Sequence, residues 1–390
     1  MLTSLALILL SGFALGEIFK KLRLPSLLGM LIAGMVLGPH ALNLLDTSTL
    51  LISADLRQIA LIIILSRAGL ALDINDLKKV GRPALLMCFV PASFEIAGMM
   101  LLAPALLGLT LLEAAILGAV VSAVSPAVIV PKMLRLMETG HGARKSIPQM
   151  IMAGASADDI FVIVLFGAFT GLAQGEGISP ASFLQIPVSI ITGLAAGISL
   201  GLLFSRMKLG RNPAAVILML GISFLLVAAE KWLPIPFSGL LAVIGFTAAI
   251  QKKDSPAASE LSNRFLKLWH GAEILLFVLV GATLDLKYAA SAGFAVVAVI
   301  LGAMVFRTLG VFICLIKTGL NSRERIFCMI AYLPKATVQA AIGGIPLALG
   351  LACGNTVLTV AVLAILITAP LGAFGIDIGG KKLLDLGGAA

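Results

Sequence analysis

Charge is what this sequence has least of. Only 12% of its 390 residues are charged and 60% are hydrophobic, against about 25% charged in a soluble domain. So few charges cannot cover a water-soluble particle of this size, which makes lipid the solvent for most of the chain; the mean hydropathy of +1.11 agrees. There are three histidines, His40, His141 and His270. All fall near the ends of apolar runs, and nothing in the pattern supports a pH-sensor role for them. The four cysteines, Cys88, Cys314, Cys328 and Cys353, lie inside apolar runs without CxxC or CxxH spacing, which excludes a zinc site and a disulfide framework. The net charge of +9 is not gathered into a patch or tail, so nucleic-acid binding is not expected. The first residues, MLTSLALILLSGFALGEIF, lack the basic start and small-residue exit of a cleaved leader and read as a retained first helix.

What is present is a series of apolar runs. A bilayer core of about 30 Å takes about 20 helical residues to cross. Thirteen such runs are expected, near 2–19, 25–44, 54–72, 83–107, 110–133, 147–173, 183–205, 213–231, 236–250, 268–286, 290–316, 324–349 and 354–376. The expected fold is therefore an all-α polytopic membrane protein with about thirteen transmembrane helices. Alternate loops collect the cations: Lys20, Lys21 and Arg23; Lys78, Lys79 and Arg82; Lys132, Arg135, Arg144 and Lys145; Arg206, Lys208 and Arg211; Lys252, Lys253, Arg264 and Lys267; Lys317, Arg323 and Arg325; Lys381 and Lys382. The opposite loops hold Lys231 and Lys287, with Arg57 near that edge. By the positive-inside rule the rich side is cytoplasmic. The N-terminus is then outside, and 377–390 form a short cytoplasmic tail. No soluble nucleotide-binding domain is expected among these residues. Forty glycines suit close helix approach. The repeat Gly193-x-x-x-Gly197-x-x-x-Gly201 is expected to pack within the protomer rather than form a dimer seam.

A few charges remain inside the runs: Arg67, Arg307 and Lys335, with Glu95, Asp158 and Asp159. A charge at the bilayer centre costs at least about 2.5–3.5 kcal/mol, so it usually faces a partner or water. Two runs also carry a central proline beside polar residues, Ser122-Ala-Val-Ser-Pro-Ala127 and Ala331-Tyr-Leu-Pro-Lys-Ala336. Proline removes a backbone donor, and broken backbone at that depth is tolerated only where it lines a cavity or is buried in protein. Pro126 and Pro334 are 208 positions apart (334 − 126 = 208), and the same offset carries Glu95 to within one helical turn of Arg307. Spans 1–6 therefore correspond to spans 8–13 with the seventh as linker. An odd number of crossings separates the halves, so the second enters from the opposite side. This inverted repeat with two crossed, broken helices is the architecture of secondary transporters with sites near the midplane.

Asp158 and Asp159 sit well inside the sixth span and point roughly 100° apart if helical. One can face the broken helices while the other turns to a packed neighbour. Carboxylates, hydroxyls such as Ser125, Ser156 and Thr337, and freed carbonyls are the oxygen ligands a hard cation takes. Burial penalises the charged carboxylate, so the group can hold a proton until a cation replaces it. Competition of Na⁺ (or Li⁺) with H⁺ at one site is all that exchange requires. An ion pair between Glu95 and Arg307 is expected where the two halves meet. Lys335 either reaches carbonyls at the end of the first half-helix or snorkels to an interface. Arg67 either closes the cytoplasmic end or pairs locally. Glu113 is expected at the outer edge.

Four segments carry a family likeness: Ile59-Ala-Leu-Ile-Ile-Ile-Leu-Ser-Arg-Ala-Gly-Leu-Ala-Leu-Asp73, Val121-Ser-Ala-Val-Ser-Pro-Ala-Val-Ile-Val-Pro131, Ala155-Ser-Ala-Asp-Asp159 and Leu333-Pro-Lys-Ala-Thr-Val-Gln339. With them the chain resembles the cation–proton antiporter superfamily, and in particular its NHA-type sodium/proton antiporter branch. The resemblance implies a homodimer in which a core domain moves like an elevator. The dimerisation domain would draw on about 1–75 and 183–286, and the core on about 83–173 and 290–376. It implies that Asp159 is the ion-binding aspartate, that Asp158 precedes it as a second acid, and that Arg307 is the core-stabilising basic residue with Glu95 as partner. Arg stands where many relatives have a titrating Lys, which implies that this position does not release a proton. No enzymatic activity and no cofactor are implied; Na⁺ or Li⁺ and H⁺ would be cargo, in a bacterial inner (plasma) membrane. A K⁺/H⁺ antiporter of the same superfamily and a sodium-coupled organic-solute symporter are the competing readings. An intramembrane aspartyl protease needs its two aspartates facing each other, normally from separate helices, and a channel needs a continuous pore. Both fit poorly.

Overall fold

The computed structural model describes residues 1–22, 24–71, 81–174, 180–207, 214–233 and 235–386. The described residues are helical, with no strand beyond an isolated bridge between His141 and Leu386. Among the described residues, eight helical stretches are long and apolar enough to cross a membrane, and three shorter apolar helices accompany them.

The main helices are α1 (Leu2–Lys21), α2 (Ser26–Leu37), α3 (Ser53–Ala71), α4 (Arg82–Met87), α5 (Val90–Leu107), α6 (Leu111–Val121), α7 (Pro126–Glu138), α8 (Ile147–Gln174), α9 (Pro180–Arg206), α10 (Ala215–Trp232), α11 (Gly239–Lys253), α12 (Ser255–Ala282), α13 (Leu286–Cys314), α14 (Ser322–Ala331), α15 (Thr337–Ile342), α16 (Ile345–Ala348) and α17 (Gly354–Leu383). Contacts group them into two compact units. One contains Met1–Leu51, Ile74–Val162 and Phe277–Ala390; the other contains Ile52–Asp73 and Ile163–Leu276.

In the first unit α5 lies along α13. Gly310 makes this approach possible: a Cβ there would stand 2.8 Å from the Cα of Pro91. The pairing sets Glu95 and Arg307 on facing helices. The fifth expected span is broken between α6 and α7, and Pro126 begins the second piece, where its missing N–H costs least. The twelfth is broken between α14 and α15, with Pro334 in the unwound stretch. Both entry helices start on full capping boxes, Thr110 with Glu113 and Asn321 with Glu324, which satisfy orphan N–H groups reciprocally. Glu113 is thus a half-buried capping residue. The entry helices are 11 and 10 residues long. At about 1.5 Å per residue each covers roughly half of a bilayer core.

Several boundaries differ from the sequence expectation, among them the end of the second helix at Leu37 rather than near 44. The fourth span is interrupted at Cys88 and Phe89, just before Pro91; proline has no N–H to continue the ladder to the carbonyl four residues back, and it is tolerated in the first turn of the new helix. The helix expected near 268 starts at Ser255, with Asp254 accepting from the Ala257 N–H. Hydropathy marks only where a helix becomes apolar, and this one begins in a polar stretch. The last helix runs past 376 to Leu383, and the Gly142 N–H donates to the carbonyl of Asp385 just beyond it.

In the second unit α9 and α3 pack on α11. The glycine repeat faces α11: a Cβ on Gly197 would lie 2.0 Å from the carbonyl oxygen of Ala242. The repeat therefore serves packing inside the protomer. Gly197→Val is expected to lower the melting temperature in detergent, because overpacking costs about 1–3 kcal/mol; an unchanged melting temperature would mean the helices do not meet there.

Candidate functional site

All the residues of the site lie in the first unit. Arg307, on α13, is fully buried and spends its fork on both broken helices. Nε donates to the carbonyl of Tyr332 at 2.6 Å, and Nη1 to the carbonyl of Ser122. These are the carbonyl ends of α14 and α6, where the helix dipoles are negative. Nη1 also donates to Glu95 Oε2 at 2.9 Å, and Nη2 to Asp158 Oδ2 at 3.0 Å. The guanidinium lies 5.5 Å from the centre of the Tyr332 ring.

Lys335 completes the set. Its Nζ is 2.7 and 2.8 Å from the two oxygens of Glu95, and its backbone N–H donates to Thr368 Oγ1 at 3.0 Å. Neither sequence expectation for this lysine describes its place: it reaches the carboxylate rather than helix-end carbonyls or an interface. The unwound turn carries it toward α5, where a buried ammonium gains most from a carboxylate.

Side chains and the opposite break take several of the backbone groups freed here, which burial would otherwise leave unpaired. The Val124 N–H donates to Asp158 Oδ2 at 2.8 Å, and the Ser125 N–H crosses to the carbonyl of Pro334 at 2.8 Å. Gln339 Nε2 donates to the carbonyls of Val121 (3.1 Å) and Ala123 (2.8 Å). Beneath the crossing lies an apolar cluster that includes Met87, Ile129, Ile151, Ala155 and Phe327.

Glu95 and Arg307 thus meet, as the repeat implies. The two aspartates of α8 are separated. Asp158 is fully buried and held by Arg307 and Val124. Asp159 is 7% exposed where Glu95 and Asp158 have none; Oδ1 of both aspartates is buried without a hydrogen-bond partner among the described residues, and the two differ in that Asp158 Oδ2 is held by Arg307 and Val124. Ser125 and Thr337 are buried at the two breaks, and Ser125 Oγ is unpartnered among the described residues. The side chain of Ser156 lies outside the described residues. In the second unit Arg67 is within electrostatic range of Glu273. The sequence alone assigned no role to Glu273. Tyr332, Thr368 and Gln339 were also given no role. Each acts through backbone atoms freed at the breaks, which residue type alone does not reveal. No cluster of three or more His, Cys, Asp or Glu able to hold a resident metal occurs among the described residues.

Comparison with known proteins places the chain. The family model described as "Sodium/hydrogen exchanger, transmembrane" matches residues 5–378. The chain belongs to the sodium/hydrogen exchanger family. Within that family it is 37% identical over 381 residues to sodium/hydrogen exchanger 9B2 of Mus musculus, covering 93% of this chain and 69% of the relative. It is 33% identical over 408 residues to sodium/hydrogen exchanger 9B1 of the same species, covering 98% of this chain and 71% of the relative. The solved structure of the sodium proton antiporter MjNhaP1 from Methanocaldococcus jannaschii at pH 8 superposes with a TM-score of 0.84 over 97% of each chain, at 21% identity, and so shares the exchanger's fold. The chain is an integral membrane protein of this family.

Proposed function

We propose that this chain is a secondary active transporter that exchanges Na⁺ or Li⁺ for H⁺, with Asp159 as the group that carries each in turn. One observation carries the reading: the buried charges at the crossing of the broken helices balance without Asp159. Arg307 and Lys335 supply two positive charges, Glu95 and Asp158 two negative ones, and all four side chains are fully buried and paired. Asp159 is the charge left over. An uncompensated carboxylate at that depth is costly, so it takes either a proton or a cation and releases one on taking the other. Asp158 acts as the electrostatic link between Arg307 and the unwound Val124, with Ser125 and Thr337 as hydroxyls beside the breaks. Arg307 stays charged at any working pH and holds the crossing together.

The relatives named for sodium/hydrogen exchange support the cation class. We further propose thirteen spans with the N-terminus outside, on the strength of the alternation of basic loops. We also propose a homodimer whose dimerisation domain draws on 1–75 and 183–286, and an elevator-like motion of the core of 83–173 and 290–376.

Reconstitution tests the reading. Acid-loaded proteoliposomes with an internal pH dye are expected to alkalinise when Na⁺ or Li⁺ is added outside. No response to Na⁺, Li⁺ or K⁺ would overturn antiport. A response to K⁺ alone would replace the cation assignment.

A further inference from the structure

Gln339 does something the charge network does not. When a helix breaks in a membrane, its last carbonyls lose their intrahelical partners and become oxygen ligands that a cation would seek. At the first break the carbonyls of Val121, Ser122 and Ala123 are among those freed. Arg307 takes the middle one. Gln339, reaching across from α15, takes the two on either side with one amide. Both partners are acceptors, so only the NH₂ can face them, and each of its hydrogens has one carbonyl. The orientation leaves Gln339 Oε1 buried and without a partner among the described residues, a cost tolerated for the double contact. Gln339 is 1% exposed.

The device is one-sided. The inverted repeat places a counterpart 208 positions earlier, and that residue is Pro131, which has no side-chain donor. Amide capping is therefore not a requirement of the crossed-helix architecture; among the described residues it belongs to one break, the one whose Val124 N–H is tied to Asp158, the residue that precedes Asp159 in the chain.

We propose that Gln339 is a specificity-determining positioning residue that withholds the Val121 and Ala123 carbonyls from the transported cation. With those oxygens occupied by N–H donors, the site offers fewer neutral ligands and leaves the Asp159 carboxylate to dominate binding. Few, strongly charged ligands favour the smaller Li⁺ relative to Na⁺; added carbonyls favour the larger ion, which accommodates more oxygens. The proposal rests on the antiport reading above.

The test is the ratio of KM for Na⁺ to KM for Li⁺, measured in proteoliposomes for the wild type, Gln339→Met and Gln339→Asn. Methionine keeps the length and loses the donor. Asparagine keeps the amide but is one methylene shorter and reaches at most one carbonyl. The ratio is expected to fall at least about threefold in the methionine variant and by less in the asparagine variant, with kcat changed less than KM. Cation-dependent shifts in melting temperature should follow the same order. An unchanged ratio in a folded variant, whatever happens to its stability, would overturn the proposal, because a purely structural amide would move stability alone. If the methionine variant does not fold, the asparagine variant carries the same decision. A wild type that answers no cation would instead sink the antiport reading on which this rests.

Discussion

Asp159→Asn is expected to abolish cation-driven alkalinisation while the protein stays folded. The substitution keeps the side chain's size and removes the buried negative charge at the crossing that Arg307 and Lys335 do not balance. Nothing in the ion-pair set depends on it: Asp158 keeps Arg307 and the Val124 N–H, and Glu95 keeps both cations. The melting temperature without cation should hold or rise, since an uncompensated charge at that depth is unfavourable. The stabilisation that Na⁺ gives the wild type, about 2.7 kcal/mol at a hundredfold excess over Kd, should vanish. Dye-reported transport and cation-dependent melting check the two halves of this result. Normal exchange by the variant would remove Asp159 from the mechanism, and a collapsed fold would show that the charge bookkeeping around it is wrong.

Arg307→Ala is expected to do the reverse, damaging the fold first. Removing one partner of a buried pair costs about 3–5 kcal/mol, because the other charge is left uncompensated. Here two carboxylates lose their partner, and so do the carbonyls of Ser122 and Tyr332 at the ends of two half-helices. At roughly 2–4 °C per kcal/mol, the melting temperature should fall on the order of 10 °C. Arg307→Lys should recover only part of this, since an ammonium cannot present a planar fork to four acceptors. A melting temperature unchanged in Arg307→Ala would refute the role given to the network.

Much of this site was legible before any coordinates. Charge in a lipid-soluble stretch is rare enough that each of Glu95, Asp158, Asp159, Arg307 and Lys335 stood out, and the matched prolines, Pro126 and Pro334, located the breaks. The Glu95–Arg307 contact followed from the repeat. What could not be read was the division of labour. Asp158 and Asp159 are the same residue type in adjacent positions, and only the course of α13 past α8 decides which of them Arg307 reaches. Lys335 turned to Glu95 because the unwound turn after Tyr332 carries it there, and the path of non-helical backbone is not written in periodicity. Gln339 was hidden for a similar reason: its partners are main-chain carbonyls, which every residue has. Helix ends were missed where polarity and helicity part company, at Ser255 and beyond 376.

The two capped entry helices, of 11 and 10 residues, have an electrical consequence. With the two halves entering from opposite faces, as proposed above, their nearly equal length would put a charge at the crossing about midway through the membrane voltage. Moving one elementary charge through 100 mV is worth about 2.3 kcal/mol, so an ion arriving from either face would meet roughly half of that. Lengthening one entry helix by a turn would shift the crossing by about 5 Å and make the two approaches unequal, so that exchange would answer differently to voltages of opposite sign.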